Sequence, residues 1–386
     1  DRKGFLPEPN QRNRGIIMKR ILSFLKKDAV LTAAWTLAIL SMAAVPPSIR
    51  YISYLDLHTL GLLFCLMATM AGLQAMGFFH QMGESLLMRI HSLRQLEMLL
   101  VLLCFFSSMF ITNDVSLLTF VPFGIMILTM TGQQKLLIST IVLQTIGANL
   151  GSMFTPVGNP QNLYLASAFS VSTGTFLMRM LPLTALSLIL LVAAACMLPS
   201  ASVDIASQPV EEQPEPKKLA VYLALFVVCL GCVSHLIPYP VMLVLVLVTL
   251  LFTNRALFHK ADYFLLLTFV FFFLFIGNVQ NIPAVSDLLH KLIRERELGA
   301  GILLSQCISN VPAAILLSSF TDQVTPLLYG VNIGGLGTLI ASLASLISYR
   351  FYVGTENAHT GRYMKVFTLY NVIFLVILAL VAWKIL

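Results

Sequence analysis

Charge is scarce in this chain. Only 11% of its 386 residues are Asp, Glu, Lys or Arg, where soluble globular proteins carry roughly 25%. Hydrophobic residues make up 58%, and the mean hydropathy is +0.87. A set of water-soluble domains is excluded, and a polytopic membrane protein is what remains. Cysteine is missing from the polar loops. All six cysteines (65, 104, 196, 229, 232 and 307) lie in apolar stretches, so no disulfide framework is indicated. Cys229 and Cys232 have CxxC spacing, but with no His or third Cys nearby in sequence they read as small apolar helix residues. HExxH, zinc-ligand spacing, GxSxG and a phosphate loop are all lacking, which removes support for intramembrane proteolysis and for nucleotide-driven work. Without a nucleophile–base pair there is no case for an enzyme. The 24 bases against 17 acids are what positive cytoplasmic loops produce, and are no sign of nucleic acid.

What is there is apolar sequence in membrane-length pieces. Residues 1–28 form a basic segment, from Arg2 to Lys27, expected on the cytoplasmic side. Met18-Lys19-Arg20 reads as a natural start, so residues 1–17 are set aside. A bilayer core takes about 20 apolar residues per helix. Crossings are expected near 29–46, 57–78, 136–168, 176–198, 219–237, 240–254, 262–281, 330–350 and 364–385. The fold class is therefore an all-α polytopic membrane protein of about nine crossings with its N-terminus inside. Two more apolar stretches are interrupted by polar tips. Residues 97–130 break at Thr112-Asn113-Asp114, and residues 300–326 break at Ser309-Asn310 with Pro312 beyond. Such text describes re-entrant hairpins, whose irregular backbone must be surrounded by protein or a water-filled cavity.

Residues 199–218, rich in Pro, Ser and Glu, form a flexible acidic linker. On either side of it the chain repeats itself, as 29–198 and 219–386. Asp56 and Asp262 each open a helix, and amphipathic stretches at 81–97 and 285–297 follow. The tips then come with Asn113 and Asn310, and after them Gly147-Ala148-Asn149-Leu150-Gly151 and Gly330-Val331-Asn332-Ile333-Gly334. The helix at 219–237 has no partner in the first half, and one unpaired crossing inverts the second unit. Inverted repeats with broken helices are the architecture of secondary transporters.

The candidate site residues lie at these breaks. An acid in so apolar a setting is a functional-site hypothesis by default. Asp114 can hold a cation or take up a proton; alternatively it caps the second hairpin arm. From Asn149 to Asn162 runs the most polar text inside any expected span, with Gly151, Thr155, Gly158 and Asn159 between them. Gly and Pro unwind that helix, freeing carbonyls for a cation and directing a half-helix N-terminus at an anion. The second half offers Ser309, Asn310, Asn332 and Gly334. Ser342, Ser345 and Ser348 follow at helical spacing, as packed membrane helices often show.

With these residues in view, the sequence resembles the ion transporter superfamily, and within it the citrate-transporter-like permeases, beside the divalent anion:sodium symporters and arsenite permeases. Thr112-Asn-Asp-Val-Ser-Leu-Leu-Thr-Phe-Val-Pro122 and Thr155-Pro-Val-Gly-Asn-Pro-Gln-Asn162 are similar to the first-repeat motifs, and Ser309-Asn-Val-Pro312 to the second. The resemblance implies sodium at Thr112, Asn113, Gly151, Ser309, Asn310 and Gly334, with substrate carboxylates beside it. It also implies an elevator-type homodimer in the cell inner (plasma) membrane. Asp114 and Val311 stand where the symporter tips have Thr, and an Asp after Asn is similar to the arsenite permeases and proton-linked antiporters. The expectation is a secondary active permease for a small anion, a di- or tricarboxylate or an inorganic oxyanion, coupled to sodium or protons and needing no other cofactor. The alternative is an arsenite or sodium/proton efflux antiporter.

Overall fold

The computed structural model describes residues 29–78, 90, 92–198 and 215–386. The basic segment 1–28, most of the amphipathic stretch 81–97 and linker residues 199–214 lie outside the described residues. No strand element forms among those described. The chain runs through α1 (Ala29–Met42), α2 (Tyr51–Tyr54), α3 (Leu57–Ala75), α4 (Leu93–Ile111), α5 (Asn113–Met130), α6 (Leu137–Ser152), α7 (Pro160–Ala168) and α8 (Thr173–Cys196). The second half gives α9 (Pro216–Val233), α10 (Tyr239–Thr253), α11 (Tyr263–Gln280), α12 (Pro283–Ile293), α13 (Glu297–Ile308), α14 (Asn310–Ser318), α15 (Val324–Ile333), α16 (Leu343–Val353) and α17 (Thr360–Ile385).

Local chemistry starts these helices. Asp56 accepts the Thr59 backbone N–H (3.0 Å) to cap α3, and Asp262 accepts that of Leu265 (3.0 Å) to cap α11. Ser92 and Ser172 do the same for α4 and α8. A buried helix end would otherwise leave free donors in an apolar medium. Among the described residues, seven helices are long and apolar enough to cross a membrane: α3, α4, α5, α8, α9, α11 and α17. Two of these, α4 and α5, are the arms that the sequence reading takes together as one hairpin. With 19 and 18 residues they rise about 28 and 27 Å, close to the ~30 Å of a hydrocarbon core. The matching arms α13 and α14 have 12 and 9 residues, or about 18 and 14 Å, too short to cross.

The long stretches 136–168 and 330–350 are each broken. In the first, α6 stops at Ser152 and α7 begins at Pro160. Pro156 and Pro160 lack a backbone donor, and at Gly158 a Cβ would stand 2.1 Å from the Ser152 carbonyl oxygen. In the second, α15 stops at Ile333 and α16 begins at Leu343, across Gly337 at φ 107°.

Packing interleaves the two halves. Within each half the first hairpin arm lies along the helix before the break, α4 on α6 and α13 on α15. The second arms cross over. Helix α5 packs on α16, beyond the second break, and α14 packs on α7, beyond the first. Helices α8, α9 and α17 lie outermost and turn residues such as Ile189, Val227 and Leu380 outward, as lipid-facing helices do.

Candidate functional site

The two hairpin tips share an uncommon backbone. Thr112 has φ 70°, ψ 151° and Ser309 has φ 75°, ψ 154°, a region that a residue with a Cβ enters only at a cost of about 1–3 kcal/mol. Strain repeated at both tips needs neighbours that hold it. Asn113 Nδ2 donates to Asn149 Oδ1 (3.1 Å), and Asn113 Oδ1 accepts from the Asp114 N–H (2.9 Å). At the other tip, the Asn310 N–H donates to the Ala341 carbonyl (3.0 Å), and Ser309 Oγ reaches the same oxygen (3.4 Å).

The broken helices are joined through buried amides. Asn159 Nδ2 donates to Asn332 Oδ1 (3.3 Å), and Asn332 Nδ2 donates to Asn162 Oδ1 (2.7 Å). Ser342 Oγ donates to Asn149 Oδ1 (2.9 Å). Laying Gly147-x-Asn149-x-Gly151 on Gly330-x-Asn332-x-Gly334 puts Asn159 on Ser342. Each of these two reaches across to the other half's matched asparagine, Asn159 to Asn332 and Ser342 to Asn149. The two contacts are thus reciprocal between the matched segments. Asn162 Nδ2 donates to the carbonyls of Ser152, Met153 and Thr155 (3.3 Å each), closing the first break, and Thr155 Oγ1 donates to the Met109 carbonyl.

In front of this network lies a cavity of about 630 Å³. Of the residues nominated from sequence, Thr112, Asp114 and Asn159 line it. Asn113, Asn149, Asn162, Ser309, Asn310 and Asn332 stand buried behind as the hydrogen-bonded frame. Gly151, Gly158 and Gly334 provide close approach. Their Cβ positions would meet the Phe105 carbonyl oxygen, the Ser152 carbonyl oxygen and Ser305 Oγ at 1.9, 2.1 and 2.7 Å. The Gly151 carbonyl accepts from the Phe154 N–H (3.1 Å) and that of Gly334 from Gln306 Nε2 (2.8 Å). Asp114 does not cap its helix. It is the second residue of α5, Thr112 occupies the cap position, and Asp114 Oδ1 is buried without a hydrogen-bond partner among the described residues.

Three charged lining residues were not singled out from sequence: Lys260, Asp262 and Arg350. In sequence Asp262 only opens a helix, which it also caps; Lys260 ends a 3-10 turn and Arg350 lies in the last turn of α16. Asp262 and Asp114 line the same cavity. The pairing of Asp56 with Asp262 was the one signal that could have drawn attention to this corner.

The frame can be tested by itself. Asn332→Ala would strand Asn159 Nδ2 and Asn162 Oδ1, at about 1–3 kcal/mol for each unpaired buried group. Asn371 is the control, because its amide donates only within its own helix, to the Phe367 carbonyl (2.9 Å). Thermal melts in detergent should place N332A well below N371A; equal melting would show that the amide network holds nothing together.

Apolar helices of membrane length, interrupted where two halves meet around a cavity with charged walls, define a membrane transporter. The chain belongs to the citrate transporter family, whose profile matches residues 16–327. It is 34% identical over 281 residues to an uncharacterized transporter of Methanocaldococcus jannaschii, covering 72% of this chain and 76% of that one. It is 31% identical over 339 residues to the inner membrane protein YbiR of Escherichia coli, covering 86% and 88%. A shorter match, 33% identical over 129 residues, joins it to the silicon efflux transporter LSI3 of Oryza sativa, covering 33% and 26%. The chain is thus an integral multi-pass membrane transporter, not an enzyme, whose partners are a lipid bilayer and a small substrate.

Proposed function

We propose that this protein is a secondary active transporter of a small anion, a di- or tricarboxylate or an inorganic oxyanion, coupled to sodium or protons. The observation that carries the reading is one cavity that receives parts of both tips and both breaks: Thr112 and Asp114, Cys307 and Ile308, Asn159 and Pro160, and Ile340. In the proposed mechanism Asn113 and Asn310 hold the tips, and Thr112, Asp114 and Asn159 meet the ligands directly. Asn149, Thr155, Asn162 and Asn332 keep the frame, while Gly151, Gly158 and Gly334 let the elements approach. Sodium, where it is the coupling ion, would sit by Thr112, Asn113 and Gly151 in one half and by Ser309, Asn310 and Gly334 in the other.

The reciprocal bonds of Asn159 and Ser342, with the crossed packing of α5 and α14, support two inverted units, and the short arms α13 and α14 support a re-entrant hairpin in the second. Such units rock or slide about a fixed site to give alternating access, here of the elevator type and in a homodimer. The inner (plasma) membrane is the proposed location, since YbiR is an inner membrane protein. An efflux antiporter is the second reading. It is favoured by Asp114 at the first tip and by the segment shared with a silicon efflux transporter.

Thermal stability of the purified protein tests the two readings. Citrate, succinate, sulfate, phosphate and arsenite are each added in sodium and in potassium at two pH values. A ligand present at a hundred times its Kd raises stability by about 2.7 kcal/mol. Stabilisation by one anion that requires sodium, or that requires the lower pH, is the expected result. Stabilisation by sodium alone, or a pH response that no anion alters, would replace the anion permease with the antiporter.

A further inference from the structure

We propose that Glu97 is a proton-binding site at the base of the first hairpin, distinct from Asp114 and away from the cavity. The inference goes beyond the transport reading above and does not depend on which anion is carried. Glu97 is the fifth residue of α4 and is fully buried where α4 packs along α6. Its Oε1 accepts a long bond from Thr140 Oγ1 of α6 (3.5 Å), and its Oε2 has no hydrogen-bond partner among the described residues. One turn along α6, Gln144 Nε2 donates to the Phe120 carbonyl (2.9 Å), while its own Oε1 is buried and unpartnered as well. The acid at the start of the other half's first arm is a contrast. Glu297 opens α13 and is also buried, yet its Oε1 accepts from Thr321 Oγ1 (2.8 Å) and from the Glu295 N–H (3.2 Å). Glu297 is served as a carboxylate; Glu97 is not.

No charge compensates Glu97. The elements packed on α4 are α5, α6, α8 and the 3-10 turn Pro156–Gly158. Neither α6 nor that turn carries a titratable side chain. Helix α5 carries Asp114, at the tip end of α4, and α8 carries Arg179, half-buried, and Cys196, exposed. On α4 itself, Cys104 lies two turns on, and Arg94, one turn earlier, is exposed. None of these pairs with Glu97, since the ion pair found among the described residues is Lys218 with Glu215. The helix dipole fades within the first turn. A buried carboxylate with neither counter-charge nor donors neutralises by taking a proton, and an ionisable group inside a spanning helix marks a functional site. A bare cation in the proton's place would need a shell of oxygens, and Glu97 meets Thr140 alone among the described residues. Loss of the proton would set a charge between α4 and α6, whose backbones are in contact at Gly147 and Gly151, and loosen that seam.

The experiment uses the purified parent and the Glu97→Gln, Glu97→Asp and Asp114→Asn proteins, with no anion added. Infrared spectra at neutral pH read the carbonyl stretch of a protonated carboxylic acid, which stands apart from the carboxylate and amide bands. The parent should show this band, E97Q should lose a component of it, D114N should keep that component, and E97D should shift it. Folding then takes up a proton that the unfolded chain has released, so stability falls as pH rises. The parent's unfolding equilibrium constant should rise by up to about tenfold per pH unit more than that of E97Q. E97Q, fixed in the neutral form, should melt like the parent in mild acid and above it in mild alkali. Because E97Q removes this slope, it is separable from any pH response tied to a transported ion. Absence of the protonated-acid band from the parent, or a band and a pH slope that E97Q leaves unchanged, would show Glu97 ionised and overturn the proposal. Should E97Q fail to fold, E97D decides, because a band that does not move with that substitution does not belong to Glu97.

Discussion

Gly151→Ala should yield little folded protein, and what folds should melt far below the parent. An added Cβ would lie 1.9 Å from the Phe105 carbonyl oxygen and 2.6 Å from Ser108 Oγ. The first of these is backbone inside α4 and cannot swing away. One turn earlier, Gly147 would bring a Cβ to 3.1 Å from the Val101 carbonyl, so α4 and α6 are in backbone contact over more than a turn. Membrane helices gain little from apolar burial against each other, and close packing at small residues replaces it. Forcing a methyl group into such a seam costs about 1–3 kcal/mol where neighbours can yield, and more here, since the obstacle is main chain. Gly299→Ala is the matched control, because it lies in α13 with nothing within 4 Å of its Cβ position, and the substitution should gain up to about 1 kcal/mol of helix propensity. The measurement is recovery of monodisperse protein in detergent and its melting temperature. Should G151A melt with the parent, α4 and α6 are further apart than described. The second half repeats the seam at Gly330, whose Cβ would stand 2.6 Å from the Leu298 carbonyl, so Gly330→Ala should fail in the same way.

The breaks were legible in the sequence because they are local. Gly, Pro and Asn inside an apolar run have few uses besides ending a helix, and Thr112, Asn159, Ser309 and Gly334 each fall where a described helix ends or begins. The matched Gly-x-Asn-x-Gly segments were legible for the same reason. Arm length was not. Nothing in the apolar text from 93 to 130 distinguishes an arm that stops at mid-depth from one long enough to cross, since both are runs of Leu, Phe and Val. The charged wall of the cavity was illegible for another reason. Lys260, Asp262 and Arg350 each have an ordinary local explanation, as a turn base, a cap and a helix-end base. Their convergence on Asp114 depends on α16 packing against α5, a contact between halves more than 200 residues apart that no local pattern encodes. The structure also separated two roles that the sequence had merged. Polar text at a break supplies frame and lining together, and only burial shows that Asn332 holds the frame while Asn159 reaches both the frame and the cavity.

Asp114→Asn should uncouple the transporter without unfolding it. Asp114 accepts no side-chain hydrogen bond that the fold depends on, its Oδ1 is unpartnered, and the N-cap of α5 lies elsewhere. An isosteric amide therefore leaves packing intact and should melt near the parent. The change falls on the charge of the cavity. With both carboxylates ionised, Asp114 and Asp262 balance Lys260 and Arg350, and an entering anion meets no net attraction. On the proposed reading, a cation or proton at Asp114 would tip that balance toward the anion, and by linkage the anion would strengthen the cation by the same factor. Asn makes the tipped state permanent. With that charge gone, neither sodium nor a proton has a site there to shift, and the dependence of anion binding on sodium or pH should be lost. Two measurements decide it. Uptake into proteoliposomes against a concentration gradient, driven by a sodium or proton gradient, should be lost in D114N. Anion binding to the purified variant should persist and no longer respond to sodium or pH. Retention of driven accumulation would remove Asp114 from coupling, whereas loss of anion binding together with transport would make Asp114 part of the anion's own contacts. A transporter can convert one gradient into another only if its two ligands bias the same conformational equilibrium, and among the described residues Asp114 is where a tip, a charge and the cavity coincide.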